Sequence, residues 1–184
     1  LTMNDLIDRM GRITASLRSF ARRGDDRGQA SLAKAVDATL QVLAARIEGC
    51  HLKLHSNYSD QQLKIDQTRL EQILVNLIGN ALDAMAAVPL PELWLEGEVH
   101  DSKYRLRVRD NGHGIDDEAR KHLFEPFFTT KPGEHGLGLG LTLSASLAAA
   151  TGGSLSVEHP ASGGTAFVLS LPLLPAPTEP AESP

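Results

Sequence analysis

Two asparagines with helical spacing are the first residues whose types suggest chemistry. Asn76 and Asn80 lie four positions apart within a segment, 67–88, whose apolar residues repeat with the period of an α-helix. Both amides therefore project from one face of that helix, beside its apolar stripe. Two neutral amide oxygens placed in this way can hold Mg²⁺ while the ion keeps its waters and binds phosphate oxygens. Taken alone, the pair fits a solvated helix surface as well.

An aspartate followed by glycines is the second candidate. Asp110 ends an alternating segment, 103–110, that is predicted to be a strand, and Gly112 and Gly114 follow it. The carboxylate could accept a hydrogen bond from an exocyclic amine such as that of adenine, and the glycines would let the backbone pass close to a flat ring. The later acidic ligands of a calcium loop are missing. By itself the pattern is also that of an ordinary turn.

A run of alternating glycine and leucine opens an alanine-rich segment that is predicted to be a helix over 138–151. Its members are Gly136, Leu137, Gly138, Leu139, Gly140 and Leu141. Glycines at a helix start expose backbone N–H groups, which together with the helix dipole suit a polyphosphate. The run lacks the strand opening and downstream acid of a dinucleotide fingerprint and is not a Walker loop, so both of those nucleotide folds are rejected.

The segment 124–131 holds three of the chain's five phenylalanines in what otherwise resembles a loop. It is predicted to be a lid whose aromatic side chains dock when nucleotide binds, with Lys131 reaching the terminal phosphate. Pro132, Gly133 and Gly136 supply the bends of a moving segment. The alternative is a loop that simply packs on the core.

The order of these patterns along the chain resembles that of a known protein family. Paired helix asparagines, Asp-x-Gly-x-Gly, a phenylalanine-rich segment, Gly-x-Gly-x-Gly and a final Gly-Gly-Thr follow one another. This order resembles the catalytic domain of sensor histidine kinases over residues 30–172. The family's N box, first glycine box, F box and second glycine box then correspond to 71–84, 110–114, 124–128 and 136–140. The short lid and Asn-Ala-Leu-Asp-Ala resemble the branch that senses nitrogen status or C4-dicarboxylates.

The resemblance implies ATP and Mg²⁺ as cofactors and assigns roles to matching positions. Asn80 is the implied metal ligand with Asn76 assisting, and Asn76 and Lys131 are the implied catalytic residues. Asp110 would accept the adenine amine, and Thr165 would line the adenine end through water. The implied nucleotide-binding set is Asn76, Asn80, Asp83, Asp110, Gly112, Gly114, Ile115, Phe124, Thr129, Thr130, Lys131, Gly136, Leu137, Gly138, Leu139, Gly140, Leu141 and Thr165.

The implied fold is α+β, a two-layer sandwich of the Bergerat type with a mixed sheet carrying helices on one face, preceded by one long helix. Gyrase, Hsp90 and MutL share this fold and hydrolyse ATP with a glutamate one helical turn before the metal asparagine. Asn76 stands there, and an amide cannot take a proton as a carboxylate does. Transfer to a protein side chain is favoured; a water-hydrolysing ATPase and a non-catalytic partner-binding module are the alternatives.

Four regions are predicted along the chain. Residues 1–23 carry an apolar helical seam and resemble the second helix of the family's dimerisation and phosphotransfer hairpin. Residues 24–30 are predicted to be a linker and 31–172 the catalytic domain. The proline-rich tail, 173–184, is predicted to be disordered.

Two departures from the family's pattern bear on function. Asp83 stands where many relatives have a lysine near the phosphates, so that contact passes to Lys131. The first hairpin helix is missing, and none of the seven histidines lies in a phosphoacceptor motif: His51, His55, His100, His113, His122, His135 and His159. The implied acceptor is therefore a histidine absent from this sequence, followed by an aspartate on a response-regulator receiver domain.

Amino-acid composition limits the partners and the compartment that the chain can have. The net charge of −5 and a sequence pI near 5.8 argue against a nucleic-acid partner. The single cysteine indicates a reducing compartment, and no apolar run is long enough to span a membrane. The resemblance implies the cytoplasmic portion of an inner-membrane sensor that is a homodimer when intact, with no membrane contact by this chain.

Local patterns predict the elements around the site. Ser31 is predicted to cap a helix over 32–48, and segments 51–55 and 62–66 to pair as strands through a turn at 57–60. Hairpins are predicted for 92–100 with 103–110, around Asp101 and Ser102, and for 154–158 with 165–171.

Overall fold

The computed structural model describes residues 28–56, 61–129 and 138–174. Its strands are β1 (Ala30–Ser31), β2 (His51–Ser56), β3 (Gln62–Leu63), β4 (Glu92–His100), β5 (Lys103–Asp110), β6 (Ser154–Glu158) and β7 (Ala166–Pro172). Its helices are α1 (Leu32–Val42), α2 (Ala44–Ile47), α3 (Gln67–Ala84), α4 (Asp117–His122) and α5 (Gly140–Ala150). The predicted helix 1–23, residues 24–27 of the predicted linker and the predicted turn 57–60 lie outside the described residues, as do residues 175–184 of the predicted tail, 173–184. The first two residues of that tail, Leu173 and Leu174, are bound to the domain by backbone hydrogen bonds to Ser102 and Gln62.

A mixed sheet forms one of two layers. Its strand order is β2-β4-β5-β7-β6, with β2 parallel to β4 and the other pairs antiparallel. One hydrophobic cluster joins α1, α3 and α5 to a single face of this sheet. The opposite face carries charged side chains, among them Arg105 and Arg107, which pair with Glu98 and Glu158. The predicted two-layer α+β sandwich is confirmed.

Helix α3 follows from its sequence pattern. Asp66 caps it by accepting a hydrogen bond from the Arg69 N–H at 3.2 Å. The predicted apolar stripe is fully buried: Leu70, Ile73, Leu74, Leu77, Ala81 and Met85. The helix ends at Ala84, before the predicted limit at 88, because Met85 leaves helical geometry and Pro89 disfavours the helical conformation at the residue before it.

Both predicted hairpins are confirmed. Asp101 and Ser102 have φ angles of 49° and 62°, which are the left-handed values of a tight turn between strands β4 and β5. Strands β6 and β7 form the second antiparallel pair. Strands β5 and β7 of the two hairpins pair antiparallel. The end of β5 therefore lies next to the start of β7, with Arg109 opposite Ala166.

The predicted pairing of 51–55 with 62–66 is wrong. All six residues of β2 pair in parallel with β4, which sets Leu52 and Leu54 opposite Leu93 and Leu95, while β3 pairs with β1. The hairpin prediction assumed that neighbouring segments pair, whereas β2 pairs in parallel with the strand that follows α3, and parallel strands need such a crossover connection. The predicted helix 32–48 is divided at Leu43 into α1 and α2, and its Ser31 cap is confirmed.

Candidate functional site

Asp110 ends β5 as a buried carboxylate, with 1% of its surface exposed. Its Oδ1 accepts hydrogen bonds from the backbone N–H groups of Gly112 at 2.8 Å and Thr165 at 3.3 Å. Within the described part of the chain, no donor is bonded to Oδ2. The carboxylate is thus fixed through one oxygen, and the other is available as an acceptor for a ligand.

Burial raises the pKa of the Asp110 carboxyl above its ordinary value of 3.8. The two N–H groups that bond to it and the nearby His113 and Arg109 act in the opposite direction. The folded chain therefore holds a carboxylate in a place that disfavours its charge. Such a group is typical of functional sites rather than of structural cores.

Thr165 and Asp110, the two residues that the resemblance assigns to the adenine end, are neighbours in the structure. Its carbonyl accepts the Asp110 N–H at 2.9 Å, and only 2% of its surface is exposed. The preceding Gly164 has a φ of 78°, and a Cβ there would overlap the Asp110 carbonyl. Glycine at this position lets β7 begin directly against the end of β5.

The first glycine box is held between α3 and the loop before β7. A Cβ at Gly112 would lie 2.7 Å from the Ala84 carbonyl oxygen, and the His113 N–H approaches that same oxygen at 3.4 Å. Gly114 adopts a φ of 76° and faces the Gly164 carbonyl. A larger residue at Gly112 would push the loop away from the end of α3.

The two asparagines of α3 lie on one face of the helix, as predicted, and both are half-buried. The Asn76 side-chain amide donates to the Ser144 hydroxyl of α5 at 3.0 Å. A Cβ at Gly140, the first residue of α5, would overlap the Asn76 amide oxygen. Asn76 therefore lies directly against the start of α5. The neutral oxygens of Asn76 and Asn80 fit the donor chemistry that Mg²⁺ prefers.

The F box and the second glycine box contact each other through their backbones. The Phe127 N–H donates to the Gly138 carbonyl at 2.9 Å, and the Thr142 hydroxyl donates to the Phe124 carbonyl at 3.0 Å. Gly138 has a φ of 65°, and a Cβ there would overlap the backbone of Phe127 and Phe128. These contacts join the residues on either side of 130–137, which lie outside the described part of the chain.

The remaining predicted site residues fall into three groups. Ile115 and Leu141 pack against the hydrophobic core, and Leu139 caps α5 through its backbone. Phe124 is half-buried and Thr129 exposed at the start of the lid. Thr130, Lys131, Gly136 and Leu137 lie outside the described residues.

Asp83 has an arginine partner that sequence analysis did not anticipate. Arg46 of α2 forms an ion pair with Asp83 at 2.5 Å and also donates to the Gly79 carbonyl at 3.2 Å. The α3 face that carries Asn76 and Asn80 thus holds a carboxylate whose charge is matched from outside the four boxes.

Ser144 and Asn111 also contact the site and were not predicted from the sequence. Ser144 stands four residues after Gly140, a helical spacing that could have indicated a shared face. Asn111 accepts the Glu92 N–H and donates to the Leu90 carbonyl, both at 2.9 Å, and so ties the start of β4 to the first glycine box. No local pattern indicates this long-range contact.

Comparison with known proteins identifies the class. Residues 65–175 match the family described as histidine kinase-, DNA gyrase B- and HSP90-like ATPases, and the chain belongs to that family. It is 38% identical over 179 residues to the C4-dicarboxylate transport sensor protein DctB of Pseudomonas aeruginosa. It is 35% identical over 168 residues to the sensor protein FixL of Bradyrhizobium diazoefficiens. These matches cover 94% and 89% of this chain but 29% and 33% of the relatives.

Solved structures of histidine kinases share the fold of this chain. The catalytic domain of histidine kinase ThkA is 26% identical, with a TM-score of 0.70, over 80% of this chain and 97% of that domain. Full-length ShkA in complex with AMPPNP shares the fold, with a TM-score of 0.76 over 93% of this chain and 36% of that one. Within the family, this chain is therefore an ATP-binding catalytic domain of the sensor histidine kinase type. No helix among its described residues is long and apolar enough to cross a membrane.

Proposed function

We propose that this chain binds ATP with Mg²⁺ and presents the γ-phosphoryl group to a histidine on a segment outside this sequence. The observation that carries the proposal is Asp110, a buried carboxylate fixed through Oδ1 by Gly112 and Thr165. Its Oδ2 accepts the adenine amine, and Thr165 lines the same end of the site. A carboxylate can accept a hydrogen bond from the adenine amine but none from the guanine carbonyl at the same position, which gives selectivity for adenine over guanine.

The phosphate end is assigned to α3 and the start of α5. Asn80 holds the metal with Asn76 assisting, and backbone N–H groups at Gly138 and Gly140 bind phosphate oxygens. When bound, Mg²⁺ supplies charge neutralisation at the transferring phosphoryl group. Lys131 adds a cation from the lid, residues 124–137, which closes over the nucleotide. The other proposed nucleotide contacts are Gly112, Gly114, Ile115, Phe124, Thr129, Thr130, Gly136, Leu137, Leu139 and Leu141.

Phosphoryl transfer is favoured over hydrolysis. An amide at position 76 cannot accept a proton from water as a glutamate does, and the Asn76 amide already bonds to Ser144. Catalysis then rests on positioning and on charge neutralisation rather than on a general base.

The names of the relatives support a wider proposal for the intact protein. DctB and FixL are named as sensor proteins. By this resemblance, the proposed intact protein pairs as a homodimer and passes the phosphoryl group to a response-regulator aspartate. In this scheme 1–23 is the second hairpin helix, 24–30 the linker, 31–172 the catalytic domain and 173–184 a tail. The chain would be the cytoplasmic portion of an inner-membrane sensor.

Two assays on the purified chain test the proposal. We expect AMP-PNP to bind in the presence of Mg²⁺ and GMP-PNP to compete poorly, because guanine offers a carbonyl where adenine offers an amine. We also expect phosphate release from ATP no faster than that of an Asp110→Asn variant. Equal affinity for the two analogues would contradict the adenine assignment, and steady release that Asp110→Asn abolishes would establish a hydrolase instead.

A further inference from the structure

Arg46 is held at α3 by two contacts although it belongs to none of the four boxes. Its Nη2 lies 2.5 Å from Asp83 Oδ1 and 3.2 Å from the Gly79 carbonyl oxygen. The guanidinium also lies against the backbone at Gly79, where a Cβ would meet Arg46 Nη1 at an ordinary contact distance of 3.5 Å. The arginine of a four-residue helix is therefore anchored on the long helix of the domain.

Asp83 lies on the helix face that bears the proposed metal ligands. Asn76, Asn80 and Asp83 are spaced by four and three residues, so their side chains project from the same side of α3. A carboxylate here is one helical turn beyond Asn80. Its negative charge opposes the binding of a polyphosphate to this face, and a nearby cation offsets that effect.

The Arg46–Asp83 pair does little for stability. The two side chains are 46% and 40% exposed, and ion pairs with this exposure contribute little to the free energy of unfolding. Charges near a protein surface still interact over several ångströms at physiological ionic strength, so both side chains would affect an anionic ligand bound at this face of α3. We therefore expect the pair to influence ligand binding more than stability.

We infer that Arg46 is a positioning residue for the phosphate end of the site, which it serves by neutralising Asp83 and holding that carboxylate away from the phosphates. The inference rests on the proposed nucleotide site. Arg46 acts through Asp83 and does not touch the reacting atoms, so substitution of Asp83 should cancel the effect of substituting Arg46.

The test is a double-mutant cycle on Mg²⁺·AMP-PNP affinity, measured by calorimetry on the full chain. Arg46→Gln removes the guanidinium that offsets the Asp83 charge and is expected to weaken binding on the order of fivefold. Asp83→Asn should bind at least as tightly as the parent chain. The double variant should return to within about twofold of the parent, because the carboxylate on which Arg46 acts is gone.

Controls separate this role from a structural clamp. If the pair only braced α2 against α3, Asp83→Asn would weaken binding as much as Arg46→Gln and the double variant would not recover; that result overturns the inference. Arg46→Lys keeps the charge and should bind like the parent. Arg105→Gln, on the opposite face of the sheet, removes an exposed arginine and should leave affinity unchanged.

The outcomes also distinguish the inference from the proposed function. Binding by the parent chain without the predicted recovery would overturn the role of Arg46 alone. Absence of binding by the parent chain would remove the nucleotide site and the inference together. Thermal melts of each variant check that the fold is intact, so that a lost signal reports affinity rather than unfolding.

Discussion

The side-chain amide of Asn76 donates a hydrogen bond to the Ser144 hydroxyl, with 3.0 Å between the two heavy atoms. Ser144 is buried, so the bond forms where water does not compete freely. It joins the middle of α3 to the second turn of α5, beside Gly140. The orientation of a proposed metal-binding amide therefore depends on a serine that lies outside the four boxes.

Gly140→Ala should disrupt this relationship. The new Cβ would overlap the Asn76 amide oxygen, so either Asn76 or the start of α5 must move. We expect Mg²⁺·AMP-PNP affinity to fall at least about tenfold and the free energy of unfolding to fall by about 1–3 kcal/mol. Calorimetry and urea unfolding measure the two effects.

Gly79→Ala is the matched control for Gly140→Ala. A Cβ at Gly79 meets only Arg46 at ordinary contact distance, and alanine favours a helix interior. This variant should gain about 0.5–1 kcal/mol of stability. If both alanine variants behave alike, the contact of Gly140 with Asn76 is not the cause.

Asn111→Asp should separate stability from binding in the first glycine box. The carboxylate keeps an acceptor for the Glu92 N–H but loses the donor to the Leu90 carbonyl. We expect a loss of about 1–3 kcal/mol in the free energy of unfolding. Nucleotide affinity of the folded fraction should change little, because neither contact points to Asp110. A large loss of affinity at full stability would assign Asn111 to the ligand instead.

Phe127 should be replaceable without loss of stability. It is 75% exposed and has a φ of 67°, a conformation that costs a bulky residue free energy but that asparagine tolerates. Phe127→Asn is expected to raise the free energy of unfolding by about 0.5–1 kcal/mol. Phe127→Ala retains the unfavourable φ and should gain nothing. A loss of stability in both variants would show that the exposed ring packs in solution.

The raised pKa of Asp110 predicts a pH dependence of defined sign. A carboxyl whose folded-state pKa is raised binds more protons in the folded state than in the unfolded state. Its contribution to the free energy of unfolding therefore falls as pH rises from the ordinary value of 3.8 through the raised folded pKa. Asp110→Asn lacks this titration, so its stability relative to the parent should increase with pH across that window and level off above it.

Urea unfolding of both chains over that range measures the difference directly. A difference that stays constant with pH would mean that Asp110 is not desolvated in the folded state. Nucleotide affinity should change in the opposite sense, because the ionised carboxylate keeps Oδ2 as an acceptor for the adenine amine while Oδ1 accepts from Gly112 and Thr165. Affinity of the parent chain should therefore fall as Asp110 becomes protonated.

Sequence patterns predicted the elements that carry their own local signal. The stripe from Leu70 to Met85 and the turn at Asp101 and Ser102 are local, and both are present. The pairing of β2 with β4 joins segments about 40 residues apart and could not be predicted from local alternation. At the site, the types and spacing of Asn76, Asp110 and the glycines were informative because each has a distinct chemistry.

Contacts between residues that are far apart in the sequence could not be predicted. Arg46 and Asp83 are 37 positions apart, and Asn76 and Ser144 are 68 apart, so only the folded chain brings them together. The assignment of a phosphate contact to Lys131 stays a prediction, because that residue lies outside the described part of the chain. The roles of the asparagines and of Asp110 toward nucleotide stay predictions as well.

Calorimetric titration of the parent chain and of Asp110→Asn with AMP-PNP, each with and without Mg²⁺, tests the central claim most directly. Asparagine keeps an oxygen for the Gly112 and Thr165 N–H groups but presents an amide donor to the adenine amine. We predict Mg²⁺-dependent binding by the parent chain and its loss in a folded Asp110→Asn variant. Equal binding by the two chains, or no binding by the parent, would contradict the account.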